Sequence, residues 1–263
     1  HLIAGRPEPR SLFVNGRRRT RARVPREGWL QIADVPDHRG EITLFNAAAA
    51  RFTVAPGDFD PAWRRPRSIE AVVNHLWIEE RMPVASYDPA TRLLTSTHRS
   101  IFSLRNLGWM GTTPCARYYF ENVFEAVGEP GDWYADADAG LLYYLPMKGE
   151  TPDTAQATLP LLTQLVRVHG DLEGGRPARG IHFEGIRFEG TDWQPSEGWG
   201  RWWDPETPPH TWRRRDSFAH FDESDLARAG LPRADRVASV PQAAHDLPGA
   251  LSFEAAHDCS LVD

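Results

Sequence analysis

The stretch RGIHFEGIRFEGTDW, at residues 179–193, has a counterpart near the C-terminus in ALSFEAAHDCSLVD, at residues 250–263. In both, Ile, Leu and Phe alternate with polar residues over short segments, and a Gly or an Ala-Ala pair separates one segment from the next. Alternation predicts β-strands, and its repetition is typical of a β-solenoid, in which successive coils stack. A related segment, LLTQLVRVHGD at residues 161–171, is predicted to be a further coil.

The ends of the chain bear on this prediction. The outermost coil of a solenoid leaves backbone N–H and C=O groups unpaired, so natural solenoids carry caps. No candidate cap follows the second stretch, and the chain begins with His1 rather than Met. We therefore expect an internal or processed piece of a longer protein, with the rest of the solenoid as its partner in the parent chain.

Composition narrows the classes of partner. A net charge of -6 over 263 residues gives no global reason to expect nucleic acid or an anionic membrane surface. No apolar run approaches the roughly 20 residues that cross a bilayer. Cys115 and Cys259 are too far apart in the sequence to suggest a disulfide framework or a zinc site, and no metal or cofactor is expected.

Residues 11–158 are predicted to form a β-sandwich-like module. Its first segment, SLFVNGRRRTRARVP, holds two strands joined by Asn15-Gly16, which is a strong hairpin signal. The spacing of the other strands is typical of a sandwich or another antiparallel module. Further strands are predicted at residues 40–46, 68–77, 80–97, 116–123 and 140–146, and short helices at residues 58–63 and 122–126.

Residues 159–263 are predicted to hold the coils, interrupted by a long excursion at residues 191–248. Loops of this length in compact folds are usually functional or disordered. The excursion contains five of the ten Trp residues, mixed with charged side chains. An indole ring stacks on the C–H face of a pyranose, and charged side chains bind its hydroxyls. The residues predicted to bind a sugar are Trp193, Trp199, Trp202, Trp203, Asp192 and His210.

Two alternatives for these features are structural. The Trp residues could fasten the long loop to the coil beneath it instead of binding a ligand. The eight Arg residues between Arg6 and Arg26 suggest a nucleic-acid patch, but the alternation from Thr20 to Val24 favours the wet face of a strand. We therefore predict no nucleic-acid partner.

Carboxylates in the coils are candidates for catalytic groups, because glycosidic bond hydrolysis uses an acid and a second carboxylate. Alternation predicts that Phe183 and Phe188 point inward and that Glu184 and Glu189 point outward. No pair with a characteristic spacing is visible, so the sequence assigns no catalytic residue. The candidate carboxylates are Glu184, Glu189, Asp192, Glu254, Asp258 and Asp263.

Four segments occur in the order LFVNGRRRTRARVP, EAVVNHLWIEERMPVASYDPATRLLT, RYYFENVFEAVGEPGDWYADADAGLLYYLP and GIHFEGIRFEGTDW. Together they resemble right-handed parallel β-helix proteins related to glycoside hydrolase families 141 and 120. The resemblance implies an all-β fold: a β-sandwich-like module, then the beginning of a right-handed parallel β-helix, truncated at the C-terminus. It also implies a secreted or periplasmic enzyme that hydrolyses plant cell-wall polysaccharide. The catalytic carboxylates would lie beyond Asp263, so this chain alone is expected to be inactive.

Two other functions stay open at this stage. A non-catalytic carbohydrate-binding or adhesion β-helix would also take a polysaccharide or oligosaccharide ligand, because a fold does not fix a function. A polysaccharide lyase would need a cluster of carboxylates for Ca²⁺ and an Arg or Lys base on one coil face. No Asp-rich coil is visible in the sequence.

Overall fold

The computed structural model describes residues 9–37, 48–75, 78–100, 102–106, 114–162, 164–192, 236–237 and 249–263. Over these residues the protein is all-β, as predicted, with short 3-10 helices at Pro66–Ser68 and Phe124–Ala126. None of the described helices is long and apolar enough to cross a membrane. The described strands are β1 (Phe13–Val14), β2 (Arg17–Arg18), β3 (Thr20–Arg21), β4 (Arg23–Val24), β5 (Leu30–Gln31), β6 (Arg51–Thr53), β7 (Glu70–His75), β8 (Ile78–Asp88), β9 (Leu93–Ser96), β10 (His98–Arg99), β11 (Arg117–Glu121), β12 (Asp132–Asp136), β13 (Leu141–Tyr144), β14 (Ala157–Thr158), β15 (Val166–His169), β16 (Ala178–Arg179), β17 (His182–Glu184), β18 (Arg236–Val237), β19 (Leu251–Glu254), β20 (Ala256–His257) and β21 (Ser260–Val262).

The largest sheet has seven strands, in the order β4-β11-β7-β8-β9-β6, with β5 also pairing β11. All of its pairings are antiparallel. The Phe52 and Tyr118 rings meet edge to face at 5.4 Å between centroids and contribute to the core of this sheet. Other fully buried members of the core include Ile69, Leu94 and Phe120.

The predicted hairpin is confirmed. Strands β1 and β2 pair antiparallel, with Val14 opposite Arg17, and Asn15-Gly16 forms the turn. Both turn residues have positive φ, 52° and 71°, as a type I′ turn requires. A second core lies beside the hairpin, where Leu12 and Val14 pack with Trp133 and Ala135.

The other predicted strands of this part are found with one gap, and five described strands lie outside the predicted segments: β5, β6, β10, β12 and β14. Strands β7, β9, β11 and β13 fall within the predicted segments, β8 begins two residues before its segment, and residues 40–46 lie outside the described residues. Strand β12 was not predicted, because all five of its residues are buried and a strand buried on both faces shows no alternation. A short helix forms within residues 122–126, but residues 58–63 form turns, and the other helix begins at Pro66 instead.

The two stretches at residues 179–193 and 250–263 take part in a parallel stack. Strands β15, β16 and β17 form a first rung, and they pair in the same order with β19, β20 and β21 of a second rung. Stacking is therefore confirmed for these segments, but their assignment to three coils was wrong. The VRVH and HFE segments belong to one rung, and Phe183 lies opposite Leu261 rather than opposite Phe253.

Side chains in this two-rung stack follow the predicted alternation. Phe183 is half-buried and contacts both Phe188 and Phe253, with centroid distances of 5.6 and 6.1 Å. Glu184 and Glu189 are exposed. The aromatic rings therefore form the interior of the stack, while the carboxylates lie on its outer surface.

Candidate functional site

Most of the residues predicted to bind a sugar lie outside the described part of the chain. Asp192 is described, and Ser11 Oγ donates to its Oδ1 at 3.3 Å, while its backbone N–H donates to the Leu162 carbonyl at 3.0 Å. Asp192 Oδ2 is buried without a hydrogen-bond partner among the described residues. One oxygen of the Asp192 carboxylate therefore accepts a hydrogen bond, and the other is buried with no described partner. The predicted residues outside the described ranges are Trp193, Trp199, Trp202, Trp203 and His210.

The outer surface of the two-rung stack carries a group of polar side chains that we call the rung cluster: Arg167, His169 and Glu254. Parallel pairing places His169 opposite Glu254, at the end of β15 and β19. Glu254 Oε2 accepts from Arg167 Nη2 at 2.6 Å and lies 3.0 Å from His169 Nδ1. All three side chains are about half exposed, so water and ligands can reach them.

The charge state of the rung cluster follows from these contacts. Hydrogen bonds from Arg167 and from His169 hold the pKa of Glu254 below its ordinary value. The carboxyl of Asp171, next to the cluster, also has a lowered pKa, because Gly174 N–H and Arg176 donate to it and the charge of His169 lies nearby. Both carboxyls are therefore ionised at neutral pH, so they can accept hydrogen bonds from hydroxyls but cannot act as general acids.

A second pair of carboxylates lies within the large sheet. Glu70 of β7 is directly opposite Glu121 of β11. Arg21 Nη1 lies 2.7 Å from Glu70 Oε2, and Arg81 Nη1 lies 2.8 Å from Glu121 Oε2. Arg10 also donates to Glu70. We call these five side chains the buried ion network.

The geometry of the buried ion network is structural. Burial would raise the pKa of Glu70, but the charges of Arg10, Arg21 and Arg81 outweigh it and hold that pKa well below the ordinary value. The pKa of Glu121 is lowered in the same way, with Arg81 and Arg21 overcoming burial. Neither group is accessible to a substrate or holds a proton to donate. Sequence reasoning missed this pair because the two glutamates are brought together only by the register of β7 and β11.

The arginines near the N-terminus are mostly engaged in contacts within the fold. Arg19 forms an ion pair with Glu150, and Arg26 Nη1 lies 2.6 Å from Asp132 Oδ2. Arg10 and Arg21 belong to the buried ion network. The sequence predicted a solvent-exposed strand face from Thr20 to Val24, but Arg21 is buried, and among the described residues only a few of these arginines, such as Arg17, are exposed.

No family model and no curated protein matches this chain. A solved structure described as a glycoside hydrolase is similar to it, with a TM-score of 0.54 and 23% sequence identity over 72% of the chain. The match covers 32% of that protein, so this chain spans about a third of its length. The similarity shows a shared all-β fold.

Proposed function

We propose that this protein is the carbohydrate-binding part of a glycoside hydrolase that acts on plant cell-wall polysaccharide and is secreted or periplasmic. The observation that carries the proposal is the fold similarity to a protein described as a glycoside hydrolase. The exposed rung cluster supports it, because Arg167, His169 and Glu254 offer the donors and acceptors that sugar hydroxyls require.

The proposed architecture follows from the two-rung stack. Residues 159–263 form the beginning of a right-handed parallel β-helix, and residues 11–158 form a β-sandwich-like module. The parallel pairings of the two rungs support the first assignment, and the antiparallel large sheet supports the second. In this proposal the segment at residues 191–248 forms a wall of the glycan groove. Its binding residues are Trp193, Trp199, Trp202, Trp203, Asp192 and His210.

The catalytic pair is proposed to lie beyond Asp263, in the parent protein. Hydrolysis needs one protonated carboxyl and one carboxylate on either side of the scissile bond. Glu254 and Asp171 have lowered pKa values, and Glu70 and Glu121 are buried among arginines. We therefore expect the 263-residue chain to bind glycan without cleaving it.

The test combines retention on insoluble polysaccharide with detection of released sugar. The protein should be retained on xylan or a fucosylated cell-wall glycan, and it should release no oligosaccharide. Replacing Trp199, Trp202 and Trp203 together by Ala should weaken retention by about tenfold or more with an unchanged Tm. The matched control is Leu172→Ala, which removes an apolar side chain that is 80% exposed on the first rung.

Three results would contradict parts of this proposal. Absence of retention on every glycan would remove the binding function. Released oligosaccharide would place the catalytic pair within this chain. If the Trp variant has a much lower Tm, and its retention falls only as far as the fraction of folded protein falls, these rings fasten the loop to the fold.

A non-catalytic carbohydrate-binding or adhesion module is a second candidate. It is favoured by the state of the rung cluster, in which an arginine and a histidine already hold the one carboxylate. Release of sugar from a polysaccharide by the longer parent protein would exclude it.

A further inference from the structure

The face of the large sheet that points away from its core carries a second group of aromatic and charged side chains. In β11, the core residues Tyr118 and Phe120 alternate with Arg117 and Tyr119. Strands β4 and β5 pair in turn with β11, and the chain between them returns with Trp29 against Tyr119. The two ring centroids lie 5.2 Å apart, with the planes tilted by 56°.

Two guanidinium groups hold this arrangement. The Cζ atom of Arg23 lies 3.6 Å from the centre of the Tyr119 ring and 5.6 Å from that of Trp29. Arg23 also donates to the carbonyls of Pro25 at 2.9 Å and Gly28 at 2.6 Å, which fixes the loop that carries Trp29. The Cζ atom of Arg117 lies 4.6 Å from the centre of the Trp29 ring. We call Arg23, Trp29, Arg117 and Tyr119 the aromatic platform.

Trp29 stays accessible although its position is fixed. Its side chain is 40% exposed, whereas Trp133 is fully buried in the second core. An aromatic ring that is held in place before a ligand arrives loses little conformational entropy on binding. The platform therefore combines exposure with rigidity, as an aromatic binding surface for a sugar requires.

The platform carries two guanidinium groups, and two carboxylates lie near it: burial raises the pKa of Tyr119, and the charges of Glu121 and Glu79 raise it further. Among the described residues, neither Arg23 nor Arg117 forms an ion pair, whereas Arg81 on β8, two strands from β11, binds Glu79 at 2.8 Å and Glu121 at 2.8 Å. Arg117 is exposed and has planar N–H donors that no described acceptor occupies. Asn74, opposite Arg117 in the sheet, has a buried Nδ2 with no hydrogen-bond partner among the described residues.

We propose that the aromatic platform binds an acidic glycan. The pyranose ring of a uronic acid residue stacks on the exposed part of Trp29, and its carboxylate accepts a bidentate hydrogen bond from Arg117. A guanidinium matches the geometry of a planar carboxylate, so the pair gives specificity as well as affinity. A neutral sugar would gain the stacking contact but leave the charge of Arg117 unused. This site is separate from the rung cluster and does not require that the protein cleaves glycans.

Isothermal titration calorimetry of the 263-residue protein tests the proposal with three ligands: trigalacturonate, neutral xylotriose and an acidic peptide, pentaglutamate. Trigalacturonate is expected to bind about tenfold more tightly than either of the others. Trp29→Ala and Arg117→Ala should each weaken this binding by about tenfold, and Arg117→Lys should weaken it by a smaller factor because it keeps the charge without the planar fork. Arg17→Ala, which removes an exposed arginine of β2, is the matched control and should bind as the wild type does.

The proposal is overturned if the folded wild-type protein does not bind trigalacturonate, or if Trp29→Ala binds it equally well. Equal binding of pentaglutamate would make the platform a site for acidic peptides. If Trp29→Ala lowers the Tm, Trp29→Phe supplies the test, since it keeps a ring against Tyr119 but reduces the stacking area. If the wild-type protein does not bind trigalacturonate but is still retained on neutral polysaccharide, this inference is refuted and the proposed function stands.

Discussion

The large sheet and the two-rung stack bury their side chains to very different extents. Phe52, Tyr118 and Phe120 in the core of the large sheet are fully buried. Among the described strand residues of the stack only Val168 is buried, and Leu261, which lies opposite the interior residue Phe183, is 57% exposed. The large sheet therefore has a core of its own, while the stack is held mainly by backbone pairing and a few aromatic contacts.

Arginine–glutamate ion pairs occur in both regions, but their contributions to stability are expected to differ. Glu70 and Glu254 both accept from arginine, but Glu70 is buried among three arginines and Glu254 is about half exposed. Breaking a buried pair leaves charges without partners in a medium of low dielectric constant, whereas water replaces an exposed partner. The extent of burial, rather than the presence of an arginine partner, therefore decides whether such a carboxylate stabilises the fold or can bind a ligand.

The largest effect is expected from Glu70→Gln. The substitution leaves Arg10, Arg21 and Arg81 with too little negative charge, so the free energy of unfolding should fall by about 3–5 kcal/mol in urea titrations. Glu79→Gln is the matched control, because Glu79 pairs with the same Arg81 but its side chain is 43% exposed. That control should cost about 1 kcal/mol or less. Equal losses for the two variants would contradict the distinction between buried and exposed pairs.

The pH dependence of stability gives the same variant a second readout. Because the pKa of Glu70 is lower in the folded than in the unfolded chain, its contribution is complete above the ordinary glutamate pKa of 4.5 and is lost as the pH falls through the folded pKa. The wild type should therefore lose stability in acid more steeply than Glu70→Gln. If the free energy of unfolding falls equally steeply with decreasing pH in the two proteins, Glu70 is not the source of this acid sensitivity.

Gly170→Ala should disturb the stack and spare the large sheet. A Cβ atom at Gly170 would lie 2.2 Å from the Ala255 carbonyl oxygen and 2.5 Å from the Ala178 nitrogen, and both belong to backbone that cannot move aside without breaking rung pairing. Overpacking of this kind costs about 1–3 kcal/mol. Amide hydrogen exchange should accelerate in β15 and β19 and stay unchanged in β7 and β11.

A control separates this clash from backbone strain. Gly175 has φ +65° and nothing within 4 Å of a built Cβ, so Gly175→Ala introduces strain without a collision. It should cost about 1 kcal/mol and leave the rung pairing intact. Faster exchange throughout the chain in Gly170→Ala would mean that the large sheet and the stack unfold as one unit, against the comparison drawn above.

Local patterns in the sequence predicted local structure well. Asn15 and Gly16 both tolerate the positive φ that their turn requires, so this dipeptide alone is enough to predict the hairpin. The similarity between HFEG and SFEA correctly indicated strands with an inward Phe and an outward Glu. It could not give the register, because every strand of a rung follows that rule and Phe253 in fact lies opposite Val168.

Features that depend on residues distant in the sequence could not be predicted from local sequence patterns. Glu70 and Glu121 are 51 positions apart and meet only through the pairing of β7 with β11. Trp29 shows no pattern in its own segment, and its place over Tyr119 arises from the interruption between β4 and β5. The five predicted sugar-binding residues outside the described ranges stay predictions.

The smallest effect on stability is expected from Glu254→Gln. Its partners Arg167 and His169 are exposed, so water can replace the lost carboxylate oxygen, and the Tm should match that of the wild type. Because the pKa of Glu254 is lowered, the carboxylate is ionised at neutral pH and should accept hydrogen bonds from a bound sugar. Retention on polysaccharide at pH 7 should therefore weaken, by about two- to tenfold, while the Tm stays constant. A fall in Tm as large as that of Glu70→Gln would mean that the exposed rung cluster holds the stack together, and unchanged retention would remove Glu254 from the glycan-binding surface.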